Sequence, residues 1–257
     1  MSWWQTWLRR KPVATDRLPP SVGEDCRVYA IGDIHGRADL LDALLGMIGE
    51  DDADRGPARP ILIFLGDLVD RGQSSRAVIE RVMALVATGG DVRCLQGNHE
   101  ELFIAAARGD ARIIPVFRRM GGAQTLESYG LAPDVFDVMT DLEIAEWMLH
   151  HVPRDHVEFL DALPDWTEVG DYLFVHAGIR PGIPVDQQKS SDLRWIRKGF
   201  LDHRKPHSHM VVHGHSIAPE VDERDNRIGI DTGAYYSGQL TALGLEGTQR
   251  WTLQTTE

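Results

Sequence analysis

Three short, largely apolar runs, Arg27–Ile31, Pro60–Leu65 and Val92–Gln96, alternate with two amphipathic stretches, Ala38–Ile48 and Arg76–Ala87. That order constrains the fold more than any other feature of the chain. In the first amphipathic stretch Leu40, Leu41, Leu44, Leu45 and Ile48 recur at helical spacing, so one helix face is apolar. Pro60–Leu65 is apolar throughout and bounded by Pro and Gly, the pattern of a strand covered on both faces. Gly89-Gly90 stops the second helix. The resulting βαβαβ order implies parallel strands joined by right-handed crossovers.

Further along, His99 to about Leu163 reads as mostly helical, with Leu142–His150 the clearest helix and Gly121-Gly122 and Gly130 as punctuation. From Trp166 onward the pattern is β-rich, in the runs Tyr172–Val175, Met210–Val212, Arg227–Ile230 and Leu240–Leu245. The predicted architecture is therefore α/β, two packed and mostly mixed β-sheets flanked by helices. A chain of 257 residues without a Pro/Gly/Ser-rich linker suits one large domain, assigned here to 25–257 with a helical insert around 102–163.

Residues 1–24 read as an N-terminal extension. Trp3, Trp4, Trp7 and Leu8 make one face of a helix, followed by Arg9, Arg10 and Lys11. Two readings stand: weak peripheral membrane contact through the indoles, or an extension that packs on the domain.

Composition excludes several classes of function. Acidic residues outnumber basic ones 39 to 27, a net charge of −12, which disfavours a nucleic-acid binder relying on a basic surface. Part of that excess, Glu50, Asp51, Asp52 and Asp54, reads as a solvated loop. The two cysteines, Cys26 and Cys94, have no CxxC partner, which argues against a disulfide scaffold or a thiolate metal site. Cys94 reads as a buried reduced thiol. No apolar stretch reaches the roughly 18 residues of a membrane span, and no signal peptide is evident, so the expected compartment is the cytoplasm.

The notable polar residues all follow predicted strands. Asp33 and His35 follow the first, Asp67 and Asp70 the second, Asn98 and His99 the third. His176 closes Tyr172–Val175, and His215 follows Met210–Val212. In open α/β sheets ligands gather beyond the carboxyl ends of the strands, so these residues are expected to converge. Asp, His and Asn without thiolates form an oxygen-and-nitrogen set suited to Mn²⁺, Fe or Zn²⁺. Asp33 and His35 would share one side of an extended segment, because side chains alternate there. The glycines before Asp33, Asp67 and Asn98 let the backbone turn sharply. Two divalent ions about 4 Å apart would clamp a phosphoryl group and generate a hydroxide, which requires a bridging carboxylate, and Asp67 is the candidate.

Gly32-Asp33-Ile34-His35-Gly36, Gly66-Asp67-Leu68-Val69-Asp70-Arg71-Gly72 and Gly97-Asn98-His99-Glu100 resemble the three signature motifs of the phosphoprotein phosphatase family. His176-Ala177-Gly178, Gly214-His215 and Asp231-Thr232-Gly233-Ala234 extend the likeness over Arg27 to Leu245. It is nearest to the bacterial and bacteriophage-lambda branch and implies a calcineurin-like metallophosphoesterase fold. By the resemblance, Asp33, His35 and Asp67 would hold one metal and Asp67, Asn98, His176 and His215 the other. His99 would be the general acid, oriented by Asp70, a pairing that raises an imidazole pKa. Arg71 would bind phosphate oxygens bidentately, and Arg197 would be a second phosphate ligand, with Arg194 close by.

Blander readings apply elsewhere. His150, His151, His156, His203, His207 and His209 receive no role. Local chemistry alone would let His213 or His215 be the ligand; the family pattern favours His215. Glu100 and Glu101 open a helix, where dipole complementarity explains them.

The resemblance implies a phosphomonoesterase acting on phosphoserine or phosphothreonine in proteins, and also on phosphotyrosine, without a phosphoenzyme. The alternative is a dinucleoside tetraphosphate hydrolase. In those relatives the third motif more usually ends in Asp and the position of Asp70 is generally not acidic, so Glu100 and Asp70 favour a phosphoprotein substrate. A binding-only scaffold finds no support in a complete ligand set. Oligomeric state has no signature in the sequence.

Overall fold

The structure is a computed structural model that describes residues 18–256, so the segment of Trp3, Trp4 and Trp7 lies outside the described residues. The first half alternates as expected: β1 (Cys26–Ile31), α1 (Ala38–Asp54), β2 (Arg59–Phe64), α2 (Ser75–Ala87) and β3 (Asp91–Cys94). Six helices follow: α3 (Asn98–Ala107), α4 (Ile114–Arg119), α5 (Gly122–Ser128), α6 (Pro133–Phe136), α7 (Asp141–His151) and α8 (Arg154–Asp161). Then come β4 (Trp166–Val169), β5 (Tyr172–Val175), α9 (Ser190–Trp195), α10 (Lys198–Leu201), β6 (Met210–His213), β7 (Asp222–Glu223) and β8 (Arg227–Gly229). The chain closes with α11 (Ala234–Ser237), β9 (Thr241–Glu246) and β10 (Gln249–Gln254).

These strands build two mixed sheets, ordered β10-β9-β1-β2-β3 and β4-β5-β6-β8-β7. Strands β1, β2 and β3 are parallel, as are β5, β6 and β8, while β9, β10, β4 and β7 run antiparallel to their neighbours. Alternation along each strand sorts the side chains. Val28, Ala30, Ile61 and Ile63 of the first sheet meet Tyr172, Phe174, Val212 and Ile228 of the second. Tyr29, Ile31 and Phe64 point the other way, into the helices. Leu173, Val175 and Val211 pack outward on Leu193 and Phe200 of α9 and α10. Burying each large apolar side chain contributes about 1.5–3 kcal/mol, so three apolar layers hold the two sheets in one arrangement.

Helix α1 extends past Ile48 to Asp54 and takes in the acidic run expected to be a solvated loop. Acids at a helix C-terminus oppose its dipole. Here they are offset by donors from elsewhere in the fold. Buried Arg27 on β1 donates to Asp52 at 2.7 Å and to Glu246 on β9 at 2.8 Å. Asp51 accepts from Tyr29 (2.7 Å), Arg55 (2.8 Å) and Trp251 (3.0 Å). Both cysteines are buried and free. No helix among the described residues is long and apolar enough to cross a membrane.

Candidate metal centre

The carboxyl ends of the parallel strands of both sheets meet at one place. The Asp33 carboxylate, beyond β1, accepts from the His215 amide, beyond β6, at 3.0 and 3.1 Å. Asn98 Oδ1, beyond β3, lies 2.9 Å from His176 Nε2 and 2.8 Å from His215 Nδ1. Two groups of ligand atoms, each within 4.8 Å, share one residue: His35, Asp67 and His99, and Asp67, His176 and His215. Asp67 is thus the carboxylate placed to serve two ions.

Backbone conformation is unusual here. Among the described residues the non-glycine positions with positive φ are His35, Asp67, Asp70, Arg71 and His215, with φ from 47° to 72°. All five belong to the expected site, and such left-handed residues persist only where the surroundings over-determine them. His35 therefore reaches Asp67 through a left-handed turn, not through alternation along a strand. Gly66 (φ 99°) is needed because a Cβ there would meet Gly97 N at 2.6 Å and the His176 ring at 3.1 Å.

Glu100 holds these turns together. Fully buried, it accepts from the amides of Asp67 and Leu68 at 2.8 Å and of Gly97 at 2.9 Å. Its task is to tie the second motif to the third, which goes well beyond complementing a helix dipole. A second brace comes from the helical region. Thr125 on α5 accepts from the Asp70 amide at 2.9 Å and donates to its carboxylate at 2.7 Å, and Gly121 O accepts from Arg71 N at 2.9 Å. The segment around 102–163 thereby positions Asp70 and Arg71, and it lends Met120 to the wall of the cleft.

Electrostatics divides the histidines into two kinds. Burial, with neighbouring charge, pushes His35 and His176 below the ordinary imidazole range and His215 to about 3. These rings are neutral, the form that binds a metal. The Nδ1 of His35 donates to Val69 O at 2.8 Å and that of His176 to Leu65 O at 2.9 Å, which leaves each Nε2 lone pair facing the centre. His99 alone shifts upward. Burial opposes that, but Asp67 and a 2.6 Å bond from Nδ1 to Asp70 prevail.

Burial also works against the charge of Asp67, yet the surrounding imidazoles, once acid protonates them, hold its carboxyl far below the usual range. Asp33 is raised, first by burial and then by Asp231 and Asp67; Asp231 is raised to about 6, mainly by burial. Crowded buried carboxylates of this kind call for cations. His35 Nε2 and Asn98 Nδ2 are buried with no hydrogen-bond partner. The unpartnered lone pair of His35 Nε2, with Asn98 Oδ1 facing His176 Nε2 and the Asp67 carboxylate between the two rings, fits divalent ions. Of the expected carboxylate and imidazole ligands, Asp33 alone stands outside both atom groups, turned toward His215 N.

Arg71 Nη2 lies 3.2 Å from His99 Nε2, and Arg197 Nε donates to His215 Nε2 at 3.0 Å. Both line the same cleft of about 140 Å³ with Asp67, Asn98, His99, Met120, His215 and Ile217. Arg194 instead engages Asp165 and Glu101. Sequence reasoning missed Thr125, the bracing role of Glu100, and Tyr235, whose ring lies edge-on to His35 at 5.6 Å.

His213 faces away from the centre. Its Nδ1 donates to Gly214 O at 3.0 Å and its ring lies edge-on to Phe200 at 5.1 Å. Burial drives its pKa down to about 4. A histidine neutral in the fold and protonated near 6.5 when unfolded leaves stability intact above pH 6.5 and removes it as pH falls through about 4. The melting temperature of metal-free protein is expected to drop over that interval, and less steeply in His213→Gln. Parallel slopes would show that His213 is not the group responsible.

The calcineurin-like phosphoesterase family model matches residues 26–243. A symmetrical bis(5'-nucleosyl)-tetraphosphatase of Acidovorax sp. (strain JS42) is 36% identical over 154 residues, 60% of this chain; that match spans 44% of the relative, under half its length. A symmetrical bis(5'-nucleosyl)-tetraphosphatase of Ralstonia nicotianae is 32% identical over 271 residues, covering 83% of this chain and 87% of that one. Among solved structures, a protein serine/threonine phosphatase of Saccharomyces cerevisiae shares the fold at a TM-score of 0.53 and 13% identity, over 93% of this chain and 85% of that one.

Proposed function

The chain belongs to the calcineurin-like phosphoesterase family, and from that premise we propose that it hydrolyses bis(5'-nucleosyl) tetraphosphates. It is a metallophosphoesterase; what calls for argument is the substrate. The observation that carries it is the near full-length likeness to the Ralstonia tetraphosphatase. The site supports it with two guanidiniums, Arg71 beside His99 and Arg197 beside His215, which suit a row of phosphates. The preference for phosphoproteins drawn from Glu100 and Asp70 loses its basis. Glu100 spends its oxygens on backbone amides, and fully buried Asp70 acts through His99.

His35, Asp67, Asn98, His176 and His215 are the residues assigned to hold the metals, with Asp33 beside them; Mn²⁺ is the first ion to test, ahead of Fe and Zn²⁺. When bound, two such ions supply Lewis-acid charge for phosphoryl oxygens and acidify water. The rest falls to the chain itself. Arg71 and Arg197 orient phosphates and balance their charge. His99 gives a proton to the departing oxygen, and Asp70 keeps its imidazole turned and charged. Holding a metal would change the partners of His215, and Arg197, which donates to its Nε2, would then be free for phosphate.

With Mn²⁺ present, kcat/KM for diadenosine tetraphosphate is expected to exceed that for a phosphoserine peptide by at least about tenfold. A cut at the centre of the phosphate chain would yield ADP as the sole nucleotide. The reverse preference would return the substrate to phosphoproteins.

A further inference from the structure

An aromatic ring stands at each end of the ligand row, beside an arginine. At one end Tyr235 lies edge-on to His35, ring centres 5.6 Å apart, with the Arg71 guanidinium 4.7 Å over its face. Tyr236 packs edge-on to Tyr235 at 5.1 Å and is 61% exposed. At the other end Trp195 lies edge-on to His215 at 6.4 Å, two residues before Arg197. Its Nε1 donates to Glu101 at 3.3 Å, which fixes the indole plane.

Neither ring is explained by holding metals or one phosphoryl group. Tyr236 is set close against Gly233, where a Cβ would meet its Cζ at 2.7 Å, and most of the side chain stays open to solvent. Ile217, also exposed, adds apolar surface at the mouth of the cleft. A rigid aromatic face next to a phosphate-binding arginine suits a nucleobase, because every base presents a π-face for stacking. The arrangement occurs twice, once beyond each half of the centre. The geometry points to two base-stacking subsites, Tyr236 backed by Tyr235 beyond His35 and Trp195 beyond His215, that select polyphosphates carrying a nucleoside at each end. This inference rests on the tetraphosphate reading and names the residues that would give that reading its specificity.

The test is kinetic and uses the full chain with Mn²⁺. Tyr236→Ala is expected to raise KM for diadenosine tetraphosphate about tenfold, with a smaller change in kcat, and Tyr236→Phe to restore it. Trp195→Ala and Trp195→Phe should behave in the same way. A KM within about twofold of the parent's in both alanine variants overturns the subsites. A second arm needs no dinucleotide turnover. ADP and inorganic pyrophosphate are compared as inhibitors of p-nitrophenyl phosphate hydrolysis. The parent should bind ADP more tightly than pyrophosphate, and Tyr236→Ala or Trp195→Ala should erode that advantage. A chain that ignores diadenosine tetraphosphate but keeps the ADP advantage would sink the tetraphosphate reading and leave the subsites standing. Equal inhibition by the two anions in the parent would remove the subsites.

Discussion

Asp67→Asn is expected to lose metal and activity together, with turnover falling by at least about a thousandfold, since the ions supply several kcal/mol of transition-state stabilisation. The argument is positional. Asp67 Oδ2 lies 3.6 Å from His35 Nε2 and Oδ1 3.4 Å from His176 Nε2, so its two oxygens face the two ligand groups. Asparagine keeps the shape but removes the charge, and it turns an NH₂ toward one of those imidazoles. The turn itself should survive, because Glu100 grips the Asp67 backbone and not its side chain. Elemental analysis of the purified variant should therefore show fewer than two ions per folded chain, with circular dichroism unchanged. A variant that retained two ions and turned over within about tenfold of the parent would remove Asp67 from its bridging place.

Why so much of this centre can be read from sequence, and why part of it cannot, follows from the kinds of contact involved. Asp33, His35, Asp67, Asn98, His176 and His215 each sit directly after an apolar strand, and strand ends in such sheets converge, so local pattern and topology point the same way. The bracing residues leave no such mark. Thr125 reaches Asp70 across 55 positions, from a helix whose sequence shows only its own packing. The acidic residues Asp51 and Asp52 read as loop because their partners, Arg27, Tyr29 and Trp251, come from other strands. Edge strands β4, β7 and β10 escaped notice for a related reason. They carry little of the core, so no apolar run announces them. Arg197 and Arg194 could not be separated by spacing, since only tertiary partners distinguish them: His215 for one, Asp165 for the other.

His99→Asn should separate the two substrate classes more sharply than any rate comparison on the parent chain. His99 is almost fully buried, its Nδ1 bonded to Asp70 at 2.6 Å and its Nε2 open to Arg71 and the cleft. A general acid so placed contributes about 10²–10⁴-fold where the leaving oxygen is strongly basic. A serine alkoxide is such a group, and it departs badly without a proton. The terminal oxygen of a nucleoside diphosphate ionises near pH 6, as phosphate monoesters do, so it departs with little help. The variant is therefore expected to lose about a hundredfold or more on a phosphoserine peptide, yet less than about tenfold on diadenosine tetraphosphate. Asp70→Asn should follow the same pattern with smaller losses, because it weakens the acid without deleting it. Equal losses on both substrates would mean that His99 serves the phosphoryl group itself, as a ligand or a charge, and not the leaving oxygen. That outcome would be chemically coherent, because His99 shares its ligand group with His35 and Asp67, and the comparison of leaving groups distinguishes the two roles.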